Sequence, residues 1–222
     1  MHPRIRLALT VAVLCTAAIV LIVTLSASSG VSGTGGTPSQ LVNGFYGPTA
    51  PPAMPAVNFA LRNQNGQTIS LKRYEGQVVV LTFVYSTCQN TCPVVVSQIR
   101  GALNELSHSV PAIAVSVDPK QDTPANVSAF LVKEDVLGQL QYLVGSRMRL
   151  APIWHFFGIQ PQINVNSSKS DHSVDVELID KTGKPRVGYT DVTQMDPDAI
   201  AHDIEKLQSE PLPKLLPPRR SL

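Results

Sequence analysis

The stretch VVVLTFVYSTCQNTCP, residues 78–93, decides the fold. Its first half, Val78 to Tyr85, is a nearly continuous run of β-branched and aromatic residues. Such a run suits a strand buried on both faces, in the middle of a sheet covered by helices. Its second half carries Cys88 and Cys92 and ends on Pro93. Proline fits the first helical turn, where its missing N–H costs nothing. The spacing of Val94, Ile99, Leu103 and Leu106 then predicts a helix from Pro93 to Ser107. The two cysteines therefore stand where a central strand ends and a helix begins.

Outward from this stretch, strand and helix patterns alternate. Val57 to Leu61 alternates towards Asn65-Gly66, a hairpin signal, with Thr68 to Leu71 as the return strand. Ala112 to Val117 reads as another buried strand. Thr123 is placed to cap a helix that opens at Pro124 and runs to about Glu134. Leu140 to Val144 is a short strand, and Ser146 to Phe157 is helical. Val174 to Ile179 and Arg186 to Tyr189 flank the turn residues Lys181, Thr182 and Gly183. Pro197 to Leu207 closes as a helix after Asp196. This order predicts an α/β domain, a mixed sheet flanked by helices, over residues 51–209.

The ends of the chain read differently. Arg4 and Arg6 precede an uncharged apolar run from Leu7 to Leu25. As a helix its nineteen residues would span roughly 28 Å, the thickness of a bilayer core. No Lys or Arg follows until Arg62, so residues 1–6 are expected to stay in the cytoplasm and the rest to be exported. The expectation is a transmembrane anchor at 7–25 in a bacterial cytoplasmic membrane, with the domain on the periplasmic or extracytoplasmic side. A cleaved signal peptide is the alternative, although its apolar region usually runs 7–15 residues. Cys15 sits in the apolar run behind Leu14, which is bulky where lipoprotein processing needs a small residue. Residues 26–50 are rich in Ser, Gly, Thr and Pro and read as a flexible tether. Residues 210–222, with four prolines, read as a disordered tail. The formal net charge of +2 does not gather on one segment, and nucleic-acid binding is dropped.

Three cysteines in the whole chain do not make a disulfide-stapled scaffold. If the helix starts within the Cys88–Cys92 segment, the two sulfurs point roughly the same way, four residues apart. They can then close into a disulfide or chelate one ion. A helix N-terminus favours thiolate over thiol, and both kinds of chemistry need thiolate. A structural disulfide is one alternative, but so short a loop constrains the unfolded chain little. Structural zinc is another, but it normally takes four protein ligands. Among the histidines, His172 lies in a loop before a predicted strand, and read alone it is an ordinary surface residue. His108 and His202 read the same way, and His155 reads as packed beside Trp154, Phe156 and Phe157.

The segment from Phe83 to Pro93 resembles the signature of the Sco/SenC family. Three further segments agree in order and spacing: Val115 to Pro124, Leu150 to Gly158, and Asp171-His172-Ser173 followed by Leu178-Ile179-Asp180. The resemblance implies a thioredoxin-like fold and a copper-binding assembly factor for cytochrome c oxidase. It makes Cys88 and Cys92 the thiolate ligands and His172 the imidazole ligand. It implies subunit II of the oxidase as partner, with other copper chaperones or thiol reductants beside it. Asp118 and Asp122 match the family's acidic loop near the site; turn formation and helix capping explain them nearly as well. Gln89 and Asn90 depart from the Pro and acidic residue of many relatives, Gln121 from a common Arg, and Glu177 from a common aromatic. Two thiolates and an imidazole suit copper, Cu(I) above all. The leading expectation is a metallochaperone. The rival is a thiol–disulfide oxidoreductase working through Cys88 and Cys92, although the spacing is CxxxC and no Trp precedes Cys88. A peroxiredoxin-type peroxidase is disfavoured because Leu81 and Tyr85 hold the places of its usual Pro and Thr.

Overall fold

A computed structural model describes residues 41–161 and 175–212. In chain order the elements are β1 (Ala60–Asn63), β2 (Thr68–Ser70), β3 (Val79–Val84), α1 (Thr91–Glu105), β4 (Ala112–Ser116), α2 (Pro124–Lys133), β5 (Leu140–Val144), α3 (Arg147–Phe157), β6 (Val176–Ile179), β7 (Pro185–Tyr189) and α4 (Pro197–Ser209), with 3₁₀ turns at Leu71–Tyr74 and Val192–Gln194. The strands form one mixed sheet in the order β2-β1-β5-β4-β3-β6-β7. β3, β4 and β5 run parallel, and the other pairings are antiparallel.

The strand run at 78–85 becomes β3, and every one of its residues is buried. Its side chains alternate between two cores. Val80 and Val84 face a core built with α1, α2 and α4; Val79, Leu81 and Phe83 face another built with α3 and the 57–74 segment. The placement of α1 and α2 follows from handedness. Successive parallel strands step the same way across the sheet, and right-handed crossovers then put both connecting helices on one face. The first hairpin is set by Asn63, whose side-chain oxygen accepts from Asn65 N (3.0 Å) and Gln67 N (2.9 Å). Gly66 takes the positive φ (75°) that the turn needs. Thr123 caps α2 as expected, accepting from Asn126 N at 3.3 Å.

Three expectations need correction. Helix α1 starts at Thr91, two residues before Pro93. Its buried stripe is Cys92, Val95, Val96, Ile99 and Ala102, while Val94 is 43% exposed. The apolar period is real, but its phase is set by Cys92 entering the core. Second, the tether expected over 26–50 does not reach residue 50. Phe45 is buried, and Thr49 bridges to Val187 in β7. The carboxylate of Asp203, fully buried in α4, accepts from Tyr46 N (2.9 Å) and Gly47 N (2.9 Å). Ser/Gly/Pro composition hid an anchor made by main-chain amides. Third, the tail expected from Glu210 is held at its first residue, because Arg186 grips the Glu210 carboxylate at 2.8 and 3.1 Å. The anchor expected at 7–25 and the tail beyond Leu212 lie outside the described residues. Among the described residues no helix is long and apolar enough to cross a membrane.

Candidate functional site

Cys88 and Cys92 sit at the C-terminal end of the central strand, and both are buried, at 3% and 0% exposure. The turn between strand and helix is closed by Cys88 N donating to Tyr85 O at 3.1 Å. Cys92 is the second residue of α1, so its amide is one of the first-turn donors with no partner inside the helix. It donates to the Cys88 sulfur at 3.2 Å. Asn90 at the N-cap position offers no side-chain bond. A cysteine sulfur thus takes the place that a Ser or Asp oxygen usually fills. The two cysteines are not joined in a disulfide.

This geometry makes the pair unequal. The Cys88 sulfur receives an amide hydrogen at the positive end of a helix dipole, which favours the thiolate. Burial, and then the hydrogen bond to Cys88, push the Cys92 thiol far above its ordinary range. Cys92 is therefore the sulfur that keeps its proton. Residue type and spacing did not reveal this asymmetry, because it depends on where the helix begins.

Beneath the turn lies Asp122, 6% exposed. It accepts from Ser86 N (2.7 Å), Ser86 Oγ (2.6 Å), Ser116 Oγ (2.5 Å) and the Tyr142 hydroxyl (2.9 Å). Burial raises its pKa and these donors oppose the rise. Asp118 does the work of a turn former, accepting from Lys120 N and Gln121 N at 3.2 Å each. Capping of α2 falls to Thr123, so capping does not account for Asp122.

His172 lies outside the described residues. Among the described residues, no three of His, Cys, Asp and Glu are grouped so that they could hold a metal. His108 is exposed, and so is His155, which was expected to pack. Trp154 and Phe157 turn to the core while the His155 ring, in the last turn of α3, faces solvent. His202 contacts Asp203 (3.0 Å) and the Tyr46 ring, on the face where residues 42–50 are anchored.

One constellation was not singled out in the sequence. Asp175, just before β6, and Glu177 within it are two residues apart on one face, and their carboxyls interact. Asp175 is 4% exposed. Burial raises both carboxyls; the Asp175 charge raises Glu177 further, while Glu177 eases the rise of Asp175. Two acids at i and i+2 in a strand pattern are readable as one face. The replacement of an expected aromatic by Glu177 was the signal.

Comparison with known proteins bears on the same residues. A sequence model of the family described as SCO1/SenC matches residues 48–209. A SCO1 protein homolog of Bacillus subtilis is 29% identical over 75 residues, 32% of this chain and 39% of that protein. Matches of this kind cover less than two thirds of the length of the first curated relatives. Among solved structures, apo Sco1 from Thermus thermophilus superposes with a TM-score of 0.62 at 24% identity, covering 73% of this chain and 96% of the other. ScoI of Bradyrhizobium japonicum, solved with copper bound, gives 0.55 at 24% identity, covering 68% and 98%.

Proposed function

Since the chain belongs to the SCO1/SenC family, we propose that it is a copper chaperone whose cargo is held by Cys88, Cys92 and His172. The observation that carries this is the Cys92 N to Cys88 Sγ contact of 3.2 Å, which puts two soft donors side by side at a helix start. Two thiolates suit Cu(I), and an imidazole extends the set towards Cu(II). The topology supports the third donor. β6 runs antiparallel to β3, with Val176 opposite Thr82, and Thr82 Oγ1 donates to Asp175 O at 2.7 Å. The chain leading into β6 therefore arrives at the end of the sheet where β3 runs on to Cys88. His172 is three residues before Asp175, a span of at most about 10 Å.

The reading extends to place and partner. A segment at 7–25 would anchor the domain on the outer face of a bacterial cytoplasmic membrane, and the receiver would be the copper site in subunit II of cytochrome c oxidase. The test is metal content and the visible spectrum of the reduced full chain after copper addition. Wild type should retain about one copper per chain. His172→Ala should lose the Cu(II) spectrum, and Cys88→Ser should lose copper altogether. Retention by Cys88→Ser equal to wild type would overturn the assignment.

The inequality of the two cysteines favours a second activity on the same pair. Cys88 thiolate attacks a partner disulfide, and the partner's leaving sulfur departs as thiolate. Cys92 then gives up its proton and attacks the Cys88 sulfur, which releases the partner as a dithiol. Two electrons pass to the partner, and an external dithiol must restore Cys88 and Cys92. This activity should survive His172→Ala, whereas copper chaperoning should not.

A further inference from the structure

We infer that Asp122 is the positioning residue of the cysteine site: its carboxylate holds the turn that carries Cys88 and sets how readily Cys88 and Cys92 close into a disulfide. This deepens the reading of Cys88 and Cys92 as the working pair and rests on it. Four donors from three separate segments converge on the two Asp122 oxygens. Two come from Ser86, inside the turn and two residues before Cys88. One comes from Ser116 at the end of β4, and one from Tyr142 in β5. The Tyr142 hydroxyl also lies 3.2 Å from Val84 O, the last residue of β3. It has one proton for two acceptors, and the shorter contact is to Asp122. The frame around these groups is fixed in turn, because Trp154 Nε1 donates to Ser116 O at 2.9 Å.

The consequence is a turn held from below. Ser86 cannot swing away from the ends of β4 and β5 without giving up two bonds to a buried carboxylate. Tyr85 O, one residue back, holds Cys88 N at 3.1 Å, so the position of Cys88 is inherited from the Ser86 clamp. A held turn favours closure of the disulfide by keeping the sulfurs together.

The test uses the full chain without copper, equilibrated in a buffer of reduced and oxidised dithiothreitol, with the open fraction read by alkylation and mass. Amide exchange at residues 85–88 is followed on the same samples. Asp122→Ala removes the clamp. Its 85–88 amides should exchange at least tenfold faster, and the equilibrium should move about tenfold towards the open dithiol, about 30 mV for this two-electron couple. Asp122→Asn can keep accepting from Ser86 and donate to the Ser116 and Tyr142 hydroxyls. It should restore both the exchange protection and the couple, to within about twofold of wild type. Should Asp122→Ala fail to fold, Asp122→Asn is read together with Ser86→Ala, which should move the couple at least twofold the same way. An unchanged couple in every folded variant overturns the inference and reduces Asp122 to scaffolding. A wild type that binds no copper while these shifts appear would sink the copper reading alone.

Discussion

The buried acid pair of β6 makes a prediction that can be worked through. Asp175 and Glu177 share a face, and the Asp175 Oδ1 and Glu177 Oε2 atoms are buried with no hydrogen-bond partner among the described residues. Glu177 lies across from Gly188, where an added Cβ would come within 2.8 Å of Glu177 Oε1. The room for the glutamate is thus made by a residue with no side chain. Burial pushes Asp175 from 3.8 up to about 7, and burial with the Asp175 charge pushes Glu177 from 4.5 up to about 8. Raised carboxyls bind more protons in the folded state than in the unfolded one. Stability therefore falls as pH rises through the interval between the two values. At about 1.4 kcal/mol per decade of proton affinity, the interval from 3.8 to about 7 costs about 4 kcal/mol by pH 8. That is a large share of the roughly 5–15 kcal/mol typical of a domain.

Replacing Glu177 by Gln removes one ionisation and supplies an amide that donates to Asp175. We expect Glu177→Gln to be near neutral at pH 5 and to stabilise by about 2–4 kcal/mol at pH 8. Urea unfolding of wild type and variant at intervals from pH 5 to pH 9 measures this. The wild-type midpoint should fall across the range and the variant's should fall less. Two curves that stay parallel at every pH would show that the pair ionises no differently in the folded chain, and the reasoning would be refuted.

Further outcomes follow from the same geometry. Gly47→Ala should lower stability by about 1–3 kcal/mol in thermal unfolding, because the new Cβ would meet Val187 Cγ1 at 2.5 Å and Tyr189 Cζ at 2.8 Å. Asp203→Ala leaves the Tyr46 and Gly47 amides without their acceptor and the Tyr189 hydroxyl without the shorter (2.7 Å) of its two contacts. It should cost about 2–4 kcal/mol and open residues 42–50 to limited proteolysis. In the reduced chain at neutral pH, alkylation should label Cys88 well before Cys92, read by peptide mass; equal rates would contradict the assignment of the proton to Cys92.

The parts of the fold legible in the sequence were those dictated by local pattern. The run at 78–85 had no way to be a surface strand, and its residues 79–84 are all buried in β3. Thr123-Pro124 and Asp196-Pro197 announced helix starts because a polar cap followed by proline has few other uses. Two of the misreadings share one cause, which is that main-chain groups carry the interaction; the third, at Glu210, turns on a guanidinium from a distant strand. Tyr46 and Gly47 bind Asp203 through amides that any residue possesses. The first turn of α1 was misplaced because its N-terminal acceptor is a sulfur four residues away. Asp122 was legible as an acid near the site, but its role was not. Its partners Ser116 and Tyr142 come from two other strands, and only the sheet order brings them together.

That sheet order also accounts for where the chemistry lies. In an open α/β sheet, ligands gather beyond the carboxyl ends of the parallel strands, where loops diverge and backbone groups stay unpaired. Here β3, β4 and β5 end on one side, and β6 begins on that side because it runs the other way beside β3. The cysteine turn, the Asp118–Asp122 loop and the start of β6 are thus brought to a common edge by strand direction alone. Residues at that edge can change without disturbing the fold. Gln89 and Asn90 are exposed there and alter what an approaching protein meets. Glu177 lies inside and alters the charge balance of the strand that follows His172. Departures of both kinds leave the paired thiols where β3 and α1 put them, so they tune the site rather than abolish it.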